Sequence, residues 1–260
     1  MDKDLFILKI GGRVMDHAEQ LDEVLDKFAS VSNPKILVHG GGNRASEISK
    51  KLGLTPRMVD GRRITDNPTL EVVTMVYGGL VNKNLVAKLQ ALNVNAIGLS
   101  GADGNILPAV KRPVDKIDYG YAGDLPDYMP SSDTLQLLLN HGLVPVCCPL
   151  THDGNGQLLN TNADTIASYL GVSLSRYYRV TLVYCLDKPG VLKDPDDHNS
   201  VISQLQPDTY QQLVQSKVIV EGMIPKLDNA FSGLRLGIRE IYLCDWKDIT
   251  GSSGTKITLP

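Results

Sequence analysis

The chain has 260 residues, 42% of them hydrophobic and 21% charged, with a formal net charge of −3. That mix supplies a core for one large domain or two lobes, and the slightly acidic balance gives no electrostatic footprint for nucleic acid or an anionic membrane surface. No apolar run approaches the roughly 20 residues of a membrane span, and Met-Asp-Lys-Asp runs straight into a strand pattern with no leader signal, so a cytoplasmic protein is expected. Cys147 and Cys148 sit side by side in an apolar run, no C-x-x-C pair exists, and these two with Cys185 and Cys244 read as reduced core thiols.

Residues 5–10 read as a buried strand that contains Lys9 and ends in Gly11-Gly12. A lysine in a central strand is costly to bury unless an anion meets it; the alternative is a strand-end lysine reaching solvent. Leu21, Val24, Leu25 and Phe28 then recur at helical spacing over residues 17–31. Ile36-Leu37-Val38 reads as a second buried strand, followed at once by Gly40-Gly41-Gly42 and a helical pattern that stops at Gly53. Strand, glycines and helix in this order aim bare backbone N–H groups at an anion, with the helix dipole adding partial positive charge; a simple tight turn is the plainer reading. The opening strand–helix–strand–helix order argues a parallel α/β sheet with right-handed crossovers.

Asp60-Gly61, between Arg57-Met58-Val59 and Arg62-Arg63-Ile64-Thr65, is a hairpin signal. Its three arginines make either a flap carrying a cation to an acidic ligand or a solvated loop, and strand alternation predicts that only one of Arg62 and Arg63 points inward. Asn67-Pro68 reads as N-cap and first residue of a helix that runs to about residue 93, with Gly78-Gly79 as the place where it could break. Residues 95–100 form another apolar strand and 106–124 a short antiparallel excursion. Ser131-Ser132-Asp133 caps a helix through Leu139, and 143–148 is a buried strand. Asn160, Asn162 and Asp164 fall at every second position where a helix opens, more than a cap alone needs. Past a seam near residues 171–179 a new unit begins. It holds a strand over 180–186, the turn from Asp187 to Leu192, a helix over 207–216, an extended Val218-Ile219-Val220, a helix over 227–236, a strand over 240–244 and a tail from 251.

In an open α/β sheet, ligands sit at the carboxyl ends of the strands, and both glycine turns, Lys9, Lys226 and Asp164 fall at strand ends or helix starts. That favours a phosphate ligand, and two lysines fit phosphoryl transfer, where charge spreads over the migrating group's oxygens. The P-loop pattern G-x-x-x-x-G-K-[ST] is absent. Gly40, Gly42 and Ala45 match G-x-G-x-x-A literally, but Asp60 is better explained by the hairpin turn, and a dinucleotide site leaves Lys9-Ile10-Gly11-Gly12 without a role. The five histidines form no metal-ligand pattern, and no G-x-S-x-G elbow occurs.

Six motifs then stand in order: Lys9-Ile10-Gly11-Gly12, Val38-His39-Gly40-Gly41-Gly42, Asp60-Gly61-Arg62-Arg63-Ile64-Thr65, Asn160-Thr161-Asn162-Ala163-Asp164, Asp187-Lys188-Pro189-Gly190-Val191 and Gly222-Met223-Ile224-Pro225-Lys226. With them the chain resembles the amino-acid kinase family, and within it the N-acetylglutamate kinases, over nearly its whole length. The resemblance implies an α/β fold, a three-layer αβα sandwich around a mainly parallel central sheet with a β-hairpin flap over the substrate site. It also implies one continuous domain in which residues 1–178 bind the acyl amino acid and carry a homodimer interface, and residues 179–260 bind ATP.

The implied activity is ATP-dependent phosphorylation of the γ-carboxylate of N-acetyl-L-glutamate, or another N-acylglutamate such as N-succinyl, to an acyl phosphate in arginine biosynthesis. On this resemblance Lys9 and Lys226 stabilise the migrating phosphoryl group and Asp164 orients both lysines. Backbone N–H groups of Gly11, Gly12 and Gly41 hold phosphate oxygens. Gly41, Gly42, Arg63 and Asn160 hold the acyl amino acid, with Arg63 on the α-carboxylate and Asn162 close by. Asp187, Gly190, Val191, Leu192, Val218, Ile219 and Val220 line the ATP site, and Mg²⁺ comes with the nucleotide, not on protein side chains. Arginine-inhibited members carry an extra N-terminal helix; here the first strand begins by residue 5, so insensitivity to arginine is expected. The chain departs from the family pattern at Cys185-Leu186 ahead of Asp187, at Tyr177 and Tyr178, and at Pro225. The alternatives are another member of the family (an aminoadipate-carrier, aspartate or carbamate kinase) or a non-catalytic binding module of this fold. The missing C-terminal regulatory domain argues against an aspartate kinase, and the intact Lys9, Asp164 and Lys226 against a non-catalytic module.

Overall fold

The computed structural model describes residues 3–59, 61–127, 132–194, 196–219 and 222–260. The chain opens with β1 (Asp4–Ile10), a short helical turn α1 (Gly12–Met15), α2 (Ala18–Ser30), β2 (Lys35–His39) and α3 (Arg44–Lys51). A hairpin of β3 (Met58–Val59) and β4 (Arg62–Arg63) leads into α4 (Asn67–Val73), a π-helical stretch (Thr74–Val81) and α5 (Asn82–Ala91). Then come β5 (Ala96–Leu99), β6 (Val110–Lys111), β7 (Gly123–Asp124), α6 (Asp133–Asn140), β8 (Val144–Cys147), β9 (Leu150–His152), β10 (Leu158–Asn160) and α7 (Ala163–Leu174). The last part holds β11 (Arg179–Leu186), β12 (Gln204–Leu205), α8 (Pro207–Gln215), α9 (Ile224–Arg235), β13 (Glu240–Asp245) and β14 (Thr255–Ile257).

Eight strands form one sheet in the order β12-β14-β13-β11-β1-β2-β8-β5. All its pairings are parallel except β13 with β14. Parallel strands need helices on both faces, which is why β1, β2, β8 and β11 read as apolar runs without clean alternation. Successive residues of β1 serve opposite layers: Leu5 and Ile7 pack with Ile166, Leu170 and Leu227 of α7 and α9, while Phe6, Leu8 and Ile10 pack with Phe28, Leu85 and Leu89 of α2 and α5. The three-layer sandwich follows, and the same register turns Lys9 toward the α7–α9 layer. The four cysteines are buried and unpaired. No described helix is long and apolar enough to cross a membrane.

The chain lays down β2, β5 and β8 on one side of β1 and returns to place β11 on the other. The β1–β11 boundary is therefore a topological switch point, where the loops leaving neighbouring strands diverge and open a crevice at their carboxyl ends.

Several local expectations shift. The cap of α4 is Asp66, whose carboxylate accepts from the Thr69 N–H at 3.0 Å, so Asn67 and Pro68 are the first two helical residues. Both neighbours are cap-competent, and proline fits either early position because those N–H groups lack helical partners anyway. At Gly78-Gly79 the rod does not break but continues through the π-helical stretch. Periodicity fades near Gly171 because α7 is buried on all sides from Ile166 to Leu174, not because the helix ends there. Val218 and Ile219 are not a strand: their N–H groups both donate to the Leu213 carbonyl, at 3.0 and 3.1 Å, closing the end of α8. Helix α9 begins at Ile224, so Lys226 lies in its first turn. Residues 255–257, read as tail, pair with β13 as β14. Asp60, Ser131 and Val220 lie outside the described residues.

Asp66→Ala is expected to cost about 1 kcal/mol of stability through loss of the cap, whereas Asn67→Ala stays within a few tenths. Urea denaturation of both variants, read as a midpoint shift at constant slope, checks the assignment.

Candidate active site

Three charged side chains meet at the carboxyl end of β1. Lys9 arrives from the strand, Asp164 from the second position of α7, and Lys226 from the first turn of α9. Lys9 Nζ stands 2.7 Å from Asp164 Oδ1, and Lys226 Nζ donates to Oδ2 at 2.7 Å. Both lysines are buried, 6% and 7% exposed. The helix start that presents Asp164 is set by Asn162, whose side-chain oxygen accepts from the Asp164 and Thr165 N–H groups at 2.8 and 3.2 Å. Asn162 is thus the cap within the polar cluster, and together with Asn160 and Asp164 it lines the cavity beside these charges.

Burial by itself raises the Asp164 carboxyl, but the two ammonium groups outweigh it and hold the group well below the usual carboxylate range. Burial, with the Lys9 charge behind it, pushes Lys226 down to about 8 against the pull of Asp164 and Asp187. Tyr184 supports the cluster from the neighbouring strand: its hydroxyl donates to the Asp164 carbonyl at 3.3 Å, and its ring centroid lies 5.2 Å from Lys226 Nζ.

A cavity of about 220 Å³ opens over Lys9 and Asp164 and is walled by the glycine turn at 40–42, Met58, Arg62, Arg63, Tyr77 and residues 160–163. Arg63 is buried; its Nη2 donates to Ser46 Oγ at 2.8 Å, while Nε and Nη1 find no hydrogen-bond partner among the described residues. Buried guanidinium donors without an acceptor are expensive, so the cavity wall at Arg63 is suited to an anion. Asn160 Nδ2 donates to Thr65 Oγ1 at 3.0 Å. Contrary to the alternation rule, Arg62 lines the cavity too, from its rim beside Asp124 at 3.9 Å. Alternation governs where Cβ points, and a side chain as long as arginine reaches round the edge of a two-residue strand. Arg112 also pairs with Asp124, so two arginines share that carboxylate.

The two glycine turns touch. A Cβ on Gly12 would lie 3.1 Å from Gly42 Cα, and Gly42 itself has φ +56°. The Gly11 N–H is committed to the Cys185 carbonyl at 3.1 Å, which ties the first turn to β11. His39, fully buried, holds the second turn: its Nδ1 bonds the Gly40 carbonyl at 2.8 Å and its Nε2 meets Asn82 Nδ2 at 3.1 Å, so the neutral ring donates from Nδ1 and accepts at Nε2. Burial pushes its pKa down to about 4, which keeps that tautomer at neutral pH.

Of the remaining expected residues, Asp187 and Gly190 to Leu192 follow β11, and none of these lines the cavity. Asp187 accepts from Arg13 Nη1 at 2.5 Å. The Val191 N–H donates to Thr255 Oγ1 at 2.8 Å, and a Cβ on Gly190 would come within 2.6 Å of the same oxygen. Leu192 is buried, and Val191 and Ile219 join one apolar cluster. Reasoning from sequence missed Arg13, Tyr77, Asn82 and the sharing of Asp124 between Arg62 and Arg112. The first is visible only as the residue after a glycine pair, and the others carry no local signal. Among the described residues no group of three or more His, Cys, Asp or Glu is placed to hold a metal ion.

The chain is similar to known proteins over nearly its whole length. Residues 4–245 match the sequence profile of the Amino acid kinase family. The acetylglutamate kinase of Cytophaga hutchinsonii is 55% identical over 241 residues, 92% of this chain and 90% of that protein. The acetylglutamate kinase of Bacteroides thetaiotaomicron is 49% identical over 257 residues, 99% of each. Among solved structures, smu.665 from Streptococcus mutans UA159 superposes with a TM-score of 0.82 at 25% identity, over 98% of both chains.

Because the native pKa of Asp164 lies below its unfolded value near 3.9, its contribution to stability is present above about pH 4 and lost as the pH falls through the native pKa. Asp164→Asn is therefore expected to cost about 3–5 kcal/mol at pH 7, the range for breaking a buried ion pair, and progressively less below pH 4. Denaturation of both proteins at pH 7, 5 and 3 measures the difference; a constant difference across that range refutes it.

Proposed function

The chain belongs to the amino acid kinase family, and on that premise we propose that it transfers the γ-phosphoryl group of ATP to the γ-carboxylate of N-acetyl-L-glutamate, giving ADP and an acyl phosphate, as a step of arginine biosynthesis in the cytoplasm. The observation that carries the reading is the buried lysine–aspartate–lysine cluster beside a cavity whose lining also holds the unpartnered donors of Arg63. An acylglutamate has two carboxylates and one uncharged acyl group. Arg63 takes the α-carboxylate, with Asn160, Gly41 and Gly42 around the amino-acid body, and the γ-carboxylate reaches the cluster.

The chemistry follows from charge. The acceptor carboxylate is already anionic at neutral pH, so no base has to activate it. Its oxygen forms a bond to the γ-phosphorus while the bond to the ADP oxygen breaks. Both reactants are anions. Unit charges about 4 Å apart at an effective dielectric near 20 repel by roughly 4 kcal/mol, and the two ammonium groups offset a term of that size while one carboxylate sets their spacing. Lys9 and Lys226 stabilise the migrating group and the amides of Gly12 and Gly41 hold its oxygens, while the Gly11 amide, bonded to the Cys185 carbonyl, anchors the first glycine turn. Asp187, Gly190 to Leu192 and Val218 to Val220 belong to the ATP side, so residues 1–178 carry the acceptor and 179–260 the nucleotide. Asp164 and Asp187 are both engaged by cations, so Mg²⁺ would be held by the nucleotide phosphates, whose charge it neutralises. A homodimer is part of the proposal.

A coupled ADP-release assay across N-acetylglutamate, N-succinylglutamate, glutamate and aspartate tests the reading. Turnover of N-acetylglutamate supports it, and turnover of aspartate alone points to another family activity. Lys9→Ala or Lys226→Ala is expected to lower kcat by about two to three orders of magnitude, as for loss of one oxyanion donor; near-normal turnover in either removes that lysine from its role. Arg63→Ala is expected to raise KM for the acylglutamate about 10- to 100-fold, as for a hydrogen bond to a charged group, with KM for ATP unchanged.

A further inference from the structure

Tyr77 lies in the π-helical stretch Thr74–Val81, buried to 6% exposure, with its ring against the Gly41 backbone and lining the cavity. A Cβ built on Gly41 would sit 2.0 Å from Tyr77 Cε1 and 2.5 Å from its hydroxyl oxygen. Within the glycine turn only Gly42 has positive φ, so the backbone at Gly41 is open to any residue. The ring of Tyr77 is therefore what requires glycine at position 41. Wide π turns recur at functional sites, and this one is braced by Val73 and Val76, which pack with Cys148 and Leu150.

The cavity's apolar lining is Met58, Tyr77, Ala122, Pro149 and Ala163. Met58 is 54% exposed and the alanines and proline are small, which leaves Tyr77 as the one large, buried apolar surface of the lining. The two charged ends of an acylglutamate are matched by Arg63 and by the lysine pair. The uncharged acyl group is left to the apolar wall.

We propose that Tyr77 is a specificity-determining residue whose ring, seated on Gly41, limits the bulk of the N-acyl group that the cavity accepts; this rests on the acylglutamate kinase reading. The test is kcat/KM for N-acetyl-, N-propionyl- and N-butyryl-L-glutamate with the full chain and its Tyr77→Ala and Tyr77→Leu variants. The butyryl-to-acetyl ratio is expected to rise about tenfold or more, the order of discrimination that methylene-sized differences produce in an apolar pocket, with KM for ATP within about twofold of the parent. Gly41→Ala is expected to raise KM for N-acetylglutamate, and the double variant Gly41→Ala/Tyr77→Leu to recover most of that loss.

An unchanged ratio in Tyr77→Leu, or no recovery in the double variant, overturns the proposal. Tyr77→Leu keeps most of the buried volume and decides the matter if Tyr77→Ala does not fold. A parent protein that turns over none of the three acylglutamates sinks the underlying reading instead, whereas turnover with an unchanged ratio sinks the role of Tyr77 alone.

Discussion

One carboxylate between two buried ammonium groups is the constraint from which the rest of this molecule can be understood. Ion pairs out of water are poor investments in stability, since desolvation consumes much of the Coulomb gain. A triad with an excess positive charge is poorer still. Asp164 sits in the first turn of α7, where the helix dipole favours a carboxylate, but Lys226 sits in the first turn of α9, where the same dipole opposes a cation. A cation held there against both its neighbour and its helix is suited to receive anionic charge. The downward push on Lys226 and the deep depression of Asp164 are two sides of that arrangement.

Topology makes the convergence affordable. Lys9, Asp164 and Lys226 come from a central strand and two helices of one layer, and the register of β1 alone decides that Lys9 faces that layer. Because β1 is flanked by β2 and β11, both glycine turns and the Asp187 turn leave the same edge of the sheet. The close approach of Gly12 to Gly42 then brings the turn beside the cavity against the turn that is bonded to β11. Arg63 is buried in the same cavity wall and held to Ser46 through Nη2, so its two remaining donors are fixed without a partner among the described residues. That pre-organisation lowers the ordering cost of binding a flexible diacid.

Much of this was legible in the amino-acid sequence. Continuous apolar runs identified β1, β2, β8 and β11, because strands covered on both faces must be apolar throughout. Lys9 stood out because an unpaired lysine cannot be buried cheaply in such a strand, and the polar residues from Asn160 to Asp164 exceeded what one helix cap could use. Motif order carried the family and the reaction. Each of these signals is local, or is a local cost that demands a distant partner.

What only the tertiary structure decided is the set of pairings between segments far apart in the chain. Nothing near Tyr77 announces a π-helical stretch or that its ring will rest on Gly41. The short, half-polar Thr255–Ile257 becomes a strand only because β13 offers it an edge. Arg13 and Asp187 meet because β1 and β11 are neighbours, and Arg62 reaches the rim because its hairpin is only two residues deep on each side. Local propensity records which conformations a segment tolerates. Which partners it meets depends on packing, and at this site the partners determine the chemistry.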